Sequence, residues 1–121
     1  MEKTELLFEE LRGHLEYWTS NVSDIIRGKA KPTEHERADY EILAKHLNSE
    51  ESLQAFEHVA YWAHLRAIGM VLLMLDGVTH LASHFNVALI DRETKEDLAP
   101  PGSTYDSDFM YYLHTHGHVT Y

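Results

Sequence analysis

The chain has 121 residues, 44% of them hydrophobic, no cysteine, and a formal charge of −10 from 20 acidic against 10 basic side chains. That length suits one domain, 1–121, and the apolar content excludes a disordered chain, while the missing cysteines exclude disulfides, thiolate zinc sites and cysteine catalysis. The acidic excess works against direct binding of nucleic acid or an anionic membrane and favours a basic protein partner.

The first ten residues, "MEKTELLFEE", mix both charge signs and do not resemble a secretory leader, so a soluble, cytoplasmic protein is expected. Residues 4–28 predict one long helix. Leu11, Leu15, Trp18, Val22 and Ile25 recur at spacings of four and three, Phe8 extends the stripe backwards, and Gly28 stands where a helix commonly ends. The next stretch, "RGKAKP" at 27–32, is the one basic segment, at +3. A second helix is expected from "TEHE" at 33–36, a pattern in which Thr33 and Glu36 cap each other, with Tyr40, Leu43, Ala44 and Leu47 facing inward.

The third predicted helix, 50–75, carries Leu53, Phe56, Ala60, Ala63, Ala67, Met70 and Met74 at helical spacing. From Val59 onward its other faces are apolar too. A helix apolar all round needs cover all round, so self-association into a homo-oligomer, a dimer in the simplest case, is expected. The most apolar run, "AIGMVLLML" at 67–75, is by itself too short to span a bilayer.

Residues 78–98 fit two readings. Val78, Leu81, Phe85 and Ala88 keep helical period, which favours a fourth helix; the rival is a strand, "FNVALI", turning at "DRETK". "APPGS" at 99–103 then breaks the chain and separates a helical body, 1–98, from an appendage, 99–121. The appendage is aromatic and β-prone, and "YYLHT" and "HVTY" are expected to pair as a hairpin around His116 and Gly117. The expected fold is therefore mainly α, a bundle of three to four helices with a C-terminal extended or hairpin segment. The alternative is α+β with a small C-terminal sheet.

Chemistry is sparse. "HTHGH" places His114, His116 and His118 on one face of a strand, and His80 and His84 lie one helical turn apart, with Asp91 two turns on. Imidazoles in such sets suit a divalent transition metal such as zinc. No glutamate is followed three residues later by histidine, so a di-iron bundle is not expected. There is no phosphate loop and no nucleophile elbow, so catalysis is not expected either. The aromatic tail, Tyr105, Phe109, Tyr111, Tyr112 and Tyr121 with Asp106 and Asp108 among them, either covers the bundle or meets a partner.

Two functions follow as expectations. The first is a non-catalytic acidic interaction module for a basic protein, of the inhibitor, immunity or anti-defence kind borne by phages and mobile elements. It would, for example, block a nucleic-acid-binding surface. The second is a metal-binding or metalloenzyme domain built on the C-terminal histidines. A histidine-driven pH switch is a weaker third.

Overall fold

A computed structural model of the chain describes residues 2–117. It contains four α-helices: α1 (Lys3–Ile26), α2 (Arg37–His46), α3 (Glu50–Asp76) and α4 (Tyr105–Thr115), with a short 3-10 turn at His80–Ser83. The protein is mainly helical, and among the described residues there is no strand, only an isolated antiparallel bridge between Ile90 and Asp97.

The helix ends follow from local chemistry. α1 stops where Gly28 enters the left-handed region (φ 80°), and the amides of Gly28 and Lys29 bond back to the carbonyls of Ile25 and Asp24. α3 starts on a reciprocal cap: the Ser52 amide donates to Ser49 Oγ, and the Ser49 amide donates to Ser52 Oγ. It ends on Gly77, at φ 73°. The expected cap of α2 is displaced. The Thr33 hydroxyl donates to the Glu36 carboxylate, and the Glu36 amide bonds to the Thr33 carbonyl, so 33–36 closes as a turn and the helix begins only at Arg37.

The chain falls into two compact units. One combines the start of the chain through Arg12 with everything from Arg66 onward; the other is Gly13–Leu65. In the first unit, Phe8, Leu72, Ala99, Tyr105, Phe109 and Leu113 are buried. The Phe8 ring is the hub, with centroids 5.8 Å from Tyr105, 5.3 Å from Phe109 and 5.7 Å from Tyr112. In the second unit Leu15, Ile26 and Leu65 are buried. There Arg27 forks onto Glu50 (3.2 and 3.1 Å) and reaches Glu57 (2.9 Å), which also accepts from the Ser23 hydroxyl (2.6 Å).

Two expectations change. Residues 78–98 are not a fourth helix. After the 3-10 turn the backbone closes on itself instead: the Asp91 amide bonds to the Glu96 carbonyl, and the Leu98 amide to that of Leu89. Asp91 Oδ1 takes the amides of Glu93 and Thr94, which a helix would have needed for its own ladder. The turn expected at "DRETK" by the strand reading is present, without a strand on either side. The first limb of the expected hairpin, "YYLHT", belongs to α4. Its second limb, together with His118 and Tyr121, lies outside the described residues.

Candidate functional site

α4 exists because Asp76, at the end of α3, caps it from across the unit. Asp76 Oδ1 accepts from the Tyr105 amide (2.8 Å) and the Ser103 hydroxyl (2.7 Å), and Oδ2 accepts from the Asp106 amide (3.0 Å). Beside this cap sits the Asp106 carboxylate, which burial and the Asp76 charge push above the usual carboxylate range. It lies over Gly69. An ideal Cβ there would stand 2.8 Å from Asp106 Oδ1, so any other residue at 69 would have to push the Asp106 carboxylate aside.

The helix redistributes the aromatic tail. Tyr105 and Phe109 face inward and are core residues of the first unit, not contact surface, and Tyr112 leans on Phe8 and stacks near Phe109. Tyr111 (71% exposed) and Asp108 remain on the outside. The signal was available in the spacing: positions 105, 109, 112 and 113 keep helical period, and acids at 106 and 108 suit a first helical turn.

The histidines separate. On α4 and its C-terminal cap, His114 and His116 no longer share the single face that a strand imposes. The His116 ring stacks on Tyr112 at 4.1 Å, and its Nδ1 lies 2.7 Å from the Tyr112 carbonyl, which also accepts from the His116 amide and the Thr115 hydroxyl. His80 and His84 do approach, with ring centroids 5.3 Å apart, but on the 3-10 turn and its cap instead of an α-helix. Asp91 does not join them. The Lys3 ammonium at 2.8 Å, with the amides of Thr94 and Glu93, holds its carboxyl down to about 2. Among the described residues, no three His, Asp or Glu side chains gather in a way that would hold a metal ion.

A cleft of about 270 Å³ opens in the first unit, lined by Leu75, Asp76, Asn86, Asp97, Ala99 and Pro101 among others. Both its carboxylates are engaged with backbone: Asp76 caps α4, and Asp97 Oδ1 accepts from the Ala99 amide. As placed they act as turn and cap acceptors, and no histidine lines the cleft to serve as a base.

No family model matches this sequence, and no curated protein or solved structure is similar to it.

The feature that stands out is surface. In the first unit Ala67, Met70, Val71 and Met74 of α3 are exposed, followed by Val78 beyond the helix, while Leu72 on the other side is buried. In the second unit, Val59 of α3 is 68% exposed, and Tyr17 and Trp18 form an exposed edge-to-face pair at 5.0 Å. The full cover expected for α3 is thus missing among the described residues. By length and composition alone, Glu50–Ser83 also holds a stretch apolar enough to cross a membrane: an 18-residue window in it has mean hydropathy 1.5, and 11% of that window is buried. The nine-residue run at 67–75, too short by itself, continues upstream through Leu65 and Val59–Ala63 in the same helix. Arg66 interrupts it, and a charge at that position is costly in lipid.

Proposed function

We propose that this chain is a non-catalytic, acidic interaction module that binds a basic protein. One observation carries the reading. Among the described residues, twelve large hydrophobic side chains are exposed against nine buried hydrophobic ones, on a molecule whose charge is −10. Apolar side chains left exposed side by side, as Met70, Val71 and Met74 are on α3, mark a place where something binds, and the acidic excess of the chain selects partners of opposite charge and speeds their encounter. An inhibitor or immunity-type protein that occupies a basic surface, with a soluble, cytoplasmic life, fits this chemistry.

The test is affinity capture from the native host with mass spectrometry, followed by reconstitution from purified components. A basic partner is expected, with affinity falling at least tenfold between 50 and 300 mM salt. Affinity indifferent to salt, or an acidic partner, refutes the reading.

A further inference from the structure

We infer that the exposed face of α3 in the first unit (Ala67, Met70, Val71 and Met74, continued by Val78) is the dock for an amphipathic helix of another protein, apolar on one side and edged with lysine or arginine. This deepens the reading above and rests on it. Three observations carry the inference.

The first is shape and length. Met70 and Val71 are 54% and 55% exposed, and Met74 and Val78 are 38% and 67% exposed. Residues 67–76 offer roughly 14 Å of ridge at the helical rise, about two and a half turns, and Val78 follows beyond the helix. A partner helix would meet it with anchors at i, i+3 or i+4, and i+7.

The second is side-chain type. Ala67 lets a backbone come close, and methionine is unbranched and polarizable, so Met70 and Met74 adapt to whatever apolar side chain lies on them. Such faces accept helices of varied sequence.

The third is charge. The unit that carries this face has eleven carboxylates against five cations. Of those cations, Lys3 is bound to Asp91 and Glu96. A helix with a basic rim gains from that field. A second copy brings another −10, so the dimer expected from the sequence would have to form against that repulsion, and an anionic bilayer is disfavoured for the same reason.

The test uses the full, untagged chain and two synthetic 18-residue helical peptides with the same leucine face, one filled with lysine and the other with glutamate. Binding is followed by calorimetry at 50 and 300 mM NaCl, for the natural chain and for the double variant Met70→Gln, Met74→Gln. Both substituted residues are exposed, and unchanged melting checks the fold. Ala67→Lys is the second variant should the first melt early. The lysine peptide is expected to bind, to weaken at least tenfold in either variant, and to weaken at least tenfold at the higher salt; the glutamate peptide is expected not to bind. Equal lysine-peptide binding by the natural chain and the variants overturns the dock while leaving the acidic-module reading intact. Equal binding of both peptides overturns both. Sedimentation that finds a dimer abolished by the double variant assigns the face to a second copy. Binding to zwitterionic vesicles, lost in the same variant, assigns it to lipid. Either result overturns the proposal.

Discussion

At the scale of single residues, the least obvious arrangement is the meeting of Asp76, Asp106 and Gly69. Asp76 reads in the sequence as part of an "Asp-Gly" stop, and Gly69 as one more small residue in an apolar run. Their roles depend on residues about 30 and 37 positions away, so no local pattern announces them. The arrangement makes a signed prediction. Burial and Asp76 push the Asp106 carboxyl up, so its ionised form opposes folding above its raised pKa, and the opposition fades as pH falls below the ordinary carboxylate range. Asp106→Asn should therefore melt higher than the natural chain at pH 7, with the difference closing toward pH 3; calorimetric scans across that range check it. Phe109 gives a prediction of the ordinary kind. It is 1% exposed and packs against the Phe8 ring at a tilt, so Phe109→Ala should cost about 3–5 kcal/mol in urea unfolding.

At the scale of elements, the long helices were legible because their information is local. α1 and α3 carry periodic stripes and glycine stops, and their observed bounds fall close to the expected ones. α4 and the 78–98 segment depart from the sequence expectation for opposite reasons. In α4 the β propensity of tyrosine outweighed a helical spacing that was present, and the cap that stabilises the helix comes from α3 rather than from its own flank. In 78–98 a genuine period was overruled by Asp91, whose side chain takes the backbone amides a helix needs. Tyr111→Pro separates the two readings of the tail. Tyr111 is exposed in mid-helix, so proline there should cost about 3 kcal/mol or more by breaking the ladder, whereas an exposed strand edge would tolerate it. Urea unfolding and far-ultraviolet circular dichroism read out the difference.

At the scale of the whole molecule, the balance between charge and apolar surface governs behaviour. A net charge of −10 on 121 residues opposes the compact state through self-repulsion, which salt screens. Raising NaCl from about 20 to 300 mM should therefore raise the melting temperature, even though it weakens exposed pairs such as Arg37–Glu34. A fall in melting temperature over that range would place net ion pairing above repulsion. The candidate site was half legible at this scale. The excess apolar character of α3 is plain in its sequence, but which of its residues stay exposed depends on what else the chain folds against it.

The sequence alone determined the helical class, the bounds of the long helices, the acidic surface and the lack of thiol chemistry, because period, caps and charge act over a few residues or by simple sum. Only the tertiary structure decided that Tyr105 and Phe109 belong to a core, that His114 and His116 do not share one face, and that one face of α3 stays exposed among the described residues. Each of these turns on a contact between distant parts of the chain — Asp76 with α4's first turn, Phe8 with Tyr105 and Phe109 — and such contacts leave no mark in local sequence.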